Sequence, residues 1–196
     1  MGRHRYDTET TRQELLDSGR ALFADLGYAA ARTEEIVART GLTRGALYHH
    51  FGSKVGLFRA VLEQVHVEVA EKVDKAGRSS TGGPIDALRA GFHGYLDAAL
   101  DRNVRQILLI DGPAVIGWQA WHDLDLEHGY SVTRTVLEHA MRKGQIEQAP
   151  VDELTHLLLG AVTQAALELG RVEDTSLARS RYCDVIDLVL DGLRTD

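Results

Sequence analysis

Arg44, Tyr48, His49 and His50 fall inside one short run, R-G-A-L-Y-H-H-F, in which Leu47 and Phe51 stand four residues apart. In a helix those two apolar side chains share the buried side, and the Arg, Tyr and two His residues are left largely outward. Guanidinium, phenol and imidazole groups on one open face contribute little to packing. Their chemistry is hydrogen bonding to base edges and phosphates. Thr43, Arg44, Gly45 and His49 form the set that can meet base edges at the front of the helix, with Arg44 the candidate for a bidentate contact to guanine. Thr33, Tyr48, His50 and Lys54 are the candidates for phosphate contacts that set register. Tyr48 and His50 have an alternative use as partial packing against the first helix.

These side chains need a scaffold, and the flanking sequence supplies one. Thr33 can cap a helix carrying Glu34 and Glu35 in its first turn, where negative charge is favoured, and Ile36 and Val37 then face inward. Gly41 stands where the helix ends and the backbone needs positive φ. Leu42 packs into the corner, and Thr43 caps the next helix. Ser53 caps a third helix with Lys54 in its first turn, so that backbone N–H groups and a cation together suit a phosphate. Upstream, Thr11 and Glu14 have capping-box spacing, and Leu15, Leu22, Phe23 and Leu26 follow at helical intervals up to Gly27. That first helix is the floor for two helices too short to stand alone.

The segment from Thr33 to Leu57 resembles the tetracycline-repressor-like (TetR-like) bacterial transcription regulators, whose pattern is approximately T-x-x-x-I-A-x-x-A-G-V-S-x-G-x-L-Y-x-H-F-x-x-K-x-x-L. Thr33, Ile36, Gly41, Gly45, Leu47, Tyr48, His50, Phe51, Lys54 and Leu57 carry the match; Val37, Thr40, Leu42 and Thr43 are mild departures of similar shape or chemistry. The resemblance implies an all-α fold in two parts. Residues 1–53 form a three-helix helix-turn-helix DNA-binding domain, and residues 54–196 form a helical effector-binding and dimerisation domain, giving about nine helices in all, at the helical periodicity the chain shows throughout. It also implies a homodimer on a two-fold symmetric double-stranded DNA operator, and an unknown small-molecule effector that releases a repressor.

Composition agrees. Pro is scarce at 3 residues, and no run alternates apolar and polar residues between hairpin turns. Cys183 has no internal disulfide partner, and no apolar leader or membrane span is read, so a cytoplasmic location is expected. The net charge of −7 is unevenly spread: residues 1–54 carry eight Lys/Arg against seven Asp/Glu, leaving fourteen against twenty-two beyond. Arg3, Arg5 and Arg12 are placed in or beside an arm that can reach phosphates or a minor groove, or that is simply soluble.

Beyond Ser53 a long helix carries Phe58, Val61, Leu62, Val65, Val69 and Val73, and stops before the linker-like G-R-S-S-T-G-G at 77–83. Pro84 opens the next helix; another covers Val104 to Ile110 and breaks at Gly112 and Pro113, and a long one runs from about Trp118 to Lys143. The penultimate helix is apolar over more than one stripe and dotted with Gly160, Ala161, Ala165 and Ala166. It needs neighbours on two sides. Leu154, Leu158, Ala161, Val162, Ala165 and Leu169, with Val185, Leu188 and Val189 of the last helix, are the expected dimer interface, an isologous four-helix contact.

Phe92, His93, Trp118, Trp121 and His122 are the expected effector-pocket residues, beside Tyr95 and Tyr130, though any of these aromatics can be core packing. His122 and Asp125 are one turn apart but lack a third ligand, so no metal and no cofactor are expected. D-G-P-A-V-I-G-W, from Asp111 to Trp118, resembles a stretch in a subgroup of TetR-like C-terminal domains. With no phosphate loop, zinc pair or base beside Cys183, an enzyme is not expected. The remaining alternatives are a DNA-binding dimer without small-molecule control and an all-helical enzyme bearing a helix-turn-helix. An enclosed void with converging polar groups favours an effector.

Overall fold

The computed structural model describes residues 2–172 and 174–195, with side chains from Thr8 onward. Its elements are α1 (Gly2–Ala30), α2 (Thr33–Thr40), α3 (Arg44–Phe51), α4 (Lys54–Ser79), α5 (Pro84–Leu100), α6 (Arg102–Val104), a π-helical stretch (Arg105–Asp111), α7 (Gly112–Ile116), α8 (Trp118–Arg142), α9 (Val151–Leu169) and α10 (Thr175–Asp191). The all-α expectation holds. Among the described residues no helix is long and apolar enough to cross a membrane.

Three boundaries differ from the sequence expectation, the first being that α4 does not stop before the 77–83 stretch but runs through Gly77 and Arg78 to Ser79. α1 begins well before Thr11, so Thr11 and Glu14 sit inside the helix and not at its start; no Pro or Gly between Thr8 and Glu14 interrupts it. Helix also continues through Gly112 and Pro113, because the Pro occupies the first turn of α7, where it needs no N–H partner; the break comes at Gly117, with φ 84°. Gly27 (φ 76°) and Gly144 (φ 65°) interrupt or end helices as expected.

The chain forms two compact units. The first comprises Met1–Val65 and Arg102–Trp121, the second His66–Asp101 and His122–Asp196. A cut at 53/54 divides the chain by role; compactness instead groups the first half of α4 and the 102–121 segment with α1 to α3.

In the first unit Leu15, Leu22, Phe23, Ile36, Leu47, Phe58 and Leu62 are all but inaccessible to solvent. Ser18 Oγ donates to the Ile36 carbonyl at 2.8 Å, which ties α2 to α1. Gly27 leaves helical conformation (φ 76°, ψ 161°), and the freed Tyr28 N–H donates to Asp111 Oδ2 at 2.7 Å. Trp121 is 0% exposed and donates Nε1–H to the Leu108 carbonyl at 2.7 Å. A Cβ at Gly112 would lie 2.7 Å from the Trp121 ring. The D-G-P-A-V-I-G-W stretch therefore has a structural role: Asp111 caps a broken helix, Gly112 admits the indole, and Gly117 turns the chain.

The second unit packs α5, α9 and α10 around Ile85, Leu88, Leu96, Leu158, Leu169, Ile186 and Leu190. Arg89 bridges α5 to α10 through Asp187 at 3.1 Å and Asp191, while Arg194 reaches Asp86 at 2.6 Å. His93 Nε2 lies 2.8 Å from Asp187 in the same seam.

Replacing Gly112 by Ala forces a methyl group against a ring that has no free space, a steric conflict of about 1–3 kcal/mol. Gly112→Ala is therefore expected to lower the urea midpoint at unchanged m-value; an unaltered midpoint would show that the Trp121 ring can yield.

Candidate functional site

α2 and α3 meet at a turn whose geometry follows from three residues. Gly41 takes φ 69°, Thr43 is extended (φ −99°, ψ 156°), and Thr43 Oγ1 accepts the Ala46 N–H at 3.2 Å, capping α3. Ser53 Oγ accepts the Gly56 N–H at 3.0 Å and caps α4 in the same manner. Gly52 also takes positive φ (72°), an additional left-handed position between α3 and α4. Thr33 differs from expectation. Arg32, extended after the Gly27 break, precedes the first turn of α2 without a side-chain cap, and Thr33 is already helical with its hydroxyl on Glu34 at 3.3 Å.

With Leu47 buried and Ala46, His50 and Phe51 half-buried, α3 leaves Arg44, Gly45, Tyr48 and His49 exposed beside Thr43. Arg44 is 55% exposed, pairs with Glu34 at 2.8 Å and stands over the Tyr48 ring at 5.8 Å. The Glu34 pairing was not read from sequence, although Glu34 lies in the first turn of the preceding helix. An exposed pair of this kind holds its partners only weakly against solvent. A Cβ at Gly45 would meet only Thr43 Oγ1, at an ordinary 3.6 Å. The fold thus has no need of glycine there.

Lys54 is half-buried, with Nζ 4.3 Å from the Tyr28 ring centroid. Burial pulls its ammonium below the ordinary lysine range, and Asp111 opposes that. Arg12 lies inside α1 with its guanidinium over the Phe51 ring at 5.4 Å, so it is not part of a free arm. The side chains of Arg3 and Arg5 lie outside the described residues.

The second unit contains a half-open cavity of about 400 Å³ between α4, α5, α8 and α9. Val69, Val73, Phe92, Val132, Leu159 and Val162 give it an apolar body, and His66, Tyr95, Asp125, His128 and Thr163 a polar wall. Thr163 Oγ1 donates to Asp125 Oδ2 at 2.9 Å, and the Tyr95 hydroxyl to Oδ1 at 3.3 Å. Burial raises the Asp125 carboxyl above the ordinary range, against those two bonds, and pushes the Tyr95 phenol well up. The His66 and His128 rings stack at 5.4 Å and 18°. Burial, then the His128 charge, lowers His66 to about 4.

Of the five expected pocket residues only Phe92 lines this cavity. His93 is in the α5–α10 seam, Trp121 is core of the first unit, Trp118 is more than half exposed with its ring 5.1 Å from that of Trp121, and His122 is half-buried off the cavity wall. His66, His128 and Thr163 were missed. The available signal was an imidazole four residues after Leu62 and three before Val69, inside the apolar stripe of α4.

The expected dimer residues divide likewise. Leu158, Val162, Ala165 and Leu169 are buried within their own protomer and Leu154 is half-buried, whereas Ala161, Val185, Leu188 and Val189 are exposed. The outward stripe of α9 is Leu157, Gly160, Ala161 and Gln164, and on α10 Val185, Leu188 and Val189 are exposed as well. Two adjacent stripes on α9 are apolar, and spacing alone does not say which one the protomer keeps.

Comparison with known proteins accords with this architecture. Residues 15–61 match the family model described as bacterial regulatory proteins, tetR family, and residues 85–193 the one described as tetracyclin repressor-like, C-terminal domain. A crystal structure of a TetR-family transcriptional regulator from Pectobacterium atrosepticum is similar over 98% of both chains, at 31% identity and a TM-score of 0.87. The HTH-type transcriptional repressor AcnR of Corynebacterium diphtheriae is 28% identical over 195 residues, covering 94% of this chain and 92% of the relative. A SmeT–triclosan complex shares the fold at 22% identity, with a TM-score of 0.71 over 95% of this chain and 93% of that one. With an N-terminal helix-turn-helix match and a C-terminal match spanning more than half its length, the chain belongs to the TetR family of DNA-binding bacterial transcription regulators.

Proposed function

We propose that this protein is a homodimeric repressor that reads a two-fold symmetric operator through α3 and leaves it when a small molecule occupies the cavity of the second unit. The observation that carries the DNA-reading part is the outward face of α3. Thr43, Arg44, Gly45 and His49 stand free of the core, and Gly45 occupies a helical position that would be more stable as Ala. Thr33, Tyr48, His50 and Lys54 are the phosphate-side set; residues 1–53 read DNA and residues 54–196 hold the effector and the partner subunit. Phe92 is the pocket candidate that the cavity supports.

Gly in an exposed helix is about 0.5–1 kcal/mol less favourable than Ala. Gly45→Ala is therefore expected to keep or raise thermal stability while weakening operator binding at least several-fold, because the methyl group holds the helix off the groove. Arg44→Ala narrows the ratio of operator to random-DNA affinity, by about 1–3 kcal/mol if its contact is bidentate. Lys54→Ala lowers both affinities and flattens the salt slope. Filter binding across salt concentrations measures all three, and an even loss across sequences for Arg44→Ala would reassign the base reader.

The dimer is supported by Leu157 and Leu188, each 72% exposed, and by Gly160, where an added Cβ meets nothing within 4 Å of its own protomer. Apolar side chains and a small residue on one open helical face suit close approach of an identical face. Two heads on a two-fold axis then match half-sites about 34–36 Å apart. Leu188→Asp is expected to sediment as a folded monomer at micromolar concentration and to lose operator binding; a dimer that persists would place the interface elsewhere.

Effector control is supported by the cavity, in which polar groups converge on an apolar body. Coupling runs through α4, which contributes Lys54 to the first unit and His66 to the second. A coupling of about 1–3 kcal/mol changes operator affinity 5–150-fold, and the effector's affinity must change by the same factor. Titrating a cavity ligand with and without operator tests this, and equal affinities would remove the regulatory link.

A further inference from the structure

We propose that the cavity selects a lipophilic amine: a ligand with an aromatic or aliphatic body and a protonated, N–H-bearing head held by Asp125 and His66. The proposal rests on the effector reading above and names its chemistry.

The argument begins with the sign of charge on the cavity wall. Asp125, Glu71 and Asp74 are its carboxylates, and among the described residues that line it Arg78 is the one Lys or Arg. Arg78 is already engaged by Asp74 at 2.7 Å. Asp125 therefore stands in the cavity without a Lys or Arg partner, and the nearby groups whose charge favours its own are the imidazoles of His122 and His128. Asp125 is half-buried and receives hydroxyl hydrogens from Tyr95 and Thr163, one on each oxygen. Burial raises its carboxyl above the ordinary range, while the hydrogens donated to both oxygens act in the opposite sense and favour the ionised form. A carboxylate accepts about four such bonds, so each oxygen keeps acceptor capacity.

The second observation concerns hydrogen-bond supply. His66 is 3% exposed, and its Nε2 has no partner among the described residues. Stacked on His128 in the polar wall, the ring stays neutral at physiological pH, and on this proposal its proton sits on Nδ1, which makes the bare Nε2 an acceptor. With that tautomer the polar wall offers acceptors at Asp125 and His66, and its hydroxyl donors, Tyr95 and Thr163, are already committed to Asp125. Its complement is a head that donates several hydrogen bonds and carries positive charge. Phe92 and Tyr95 add aromatic surface, which also attracts cations. A carboxylate ligand meets the opposite conditions: three acids and a single Arg that is already engaged. Low-dielectric walls amplify both preferences.

The test uses three probes of one shape, 4-phenylbutylamine, 4-phenylbutanol and 4-phenylbutyrate, with the full-length protein at pH 7.5 in calorimetric titrations. The amine is expected to bind at least about tenfold more tightly than the alcohol, and the carboxylate most weakly. Asp125→Asn is expected to abolish the amine's advantage while leaving the alcohol within about twofold of its original affinity. Amine binding no tighter than the alcohol, or an advantage that survives in folded Asp125→Asn, overturns the amine assignment and leaves the cavity a ligand site of other chemistry. The wild-type ranking needs no variant, so a misfolded Asp125→Asn does not rescue the proposal. Failure of all three probes to bind at millimolar concentration overturns the cavity as an effector site, and with it the regulatory reading.

Discussion

Two helices of eight residues each cannot hold their shape in water, since isolated helices below about 12–15 residues are marginal even with favourable sequences. Everything the first unit presents to DNA depends on the burial that compensates for this. Ile36, Val37 and Leu47 enter a core built by α1 and α4, and the Ser18–Ile36 bond fixes α2 against its floor. Once Leu47 is inside, the rotation of α3 is settled. Arg44, Gly45, Tyr48 and His49 form the outward face because they occupy the positions the core does not use.

A second constraint joins this head to the 102–121 segment. The helical break at Gly27 frees the Tyr28 N–H, which Asp111 accepts, while the Tyr28 ring packs on Phe58 at 5.1 Å and lies beneath the Lys54 ammonium. Lys54 is therefore no idle cation waiting at a helix N-terminus. A phosphate that engages it competes with a cation–π contact of about 0.5–2 kcal/mol, and any shift of Lys54 is felt by the residue that Asp111 holds. α4 and the π-helical stretch ending at Asp111 share one small set of contacts around Tyr28, which makes Lys54 a mechanical link as well as a phosphate candidate.

The helix-turn-helix was legible from sequence because its determinants are local. Capping by Thr43 and Ser53, positive φ at Gly41 and the Leu47 stripe each depend on residues within one turn. The cap assigned to Thr33 was misplaced for a non-local reason: Gly27, Tyr28 and Asp111 together decide where the chain re-enters helix. The cavity was less legible, since it is assembled by four helices whose mutual rotation no periodicity records. Trp121 looked like a ligand contact because indoles suit both cores and pockets, and only its bond to the Leu108 carbonyl and the space left by Gly112 decide between them. His66 was overlooked because an imidazole within an apolar stripe reads as an interruption, when in the fold it is the polar end of that stripe.

Charge distribution adds a further step. Residues 1–54 carry only +1, and the exposed Glu34 already engages Arg44. Sequence-independent attraction to a polyanion scales with the number of phosphates neutralised, so one head has little grip on arbitrary DNA. The −8 of the remaining residues weakens that grip further. On the proposed reading, discrimination then comes from contacts that form only when α3 is seated in a matching groove, where a guanine would replace Glu34 as the partner of Arg44. Two weak, selective heads bound together gain far more than either alone, because the second contact becomes intramolecular. If the proposed dimer forms through the apolar stripes of α9 and α10, those stripes are on this argument as much a part of operator recognition as the residues proposed to face the bases.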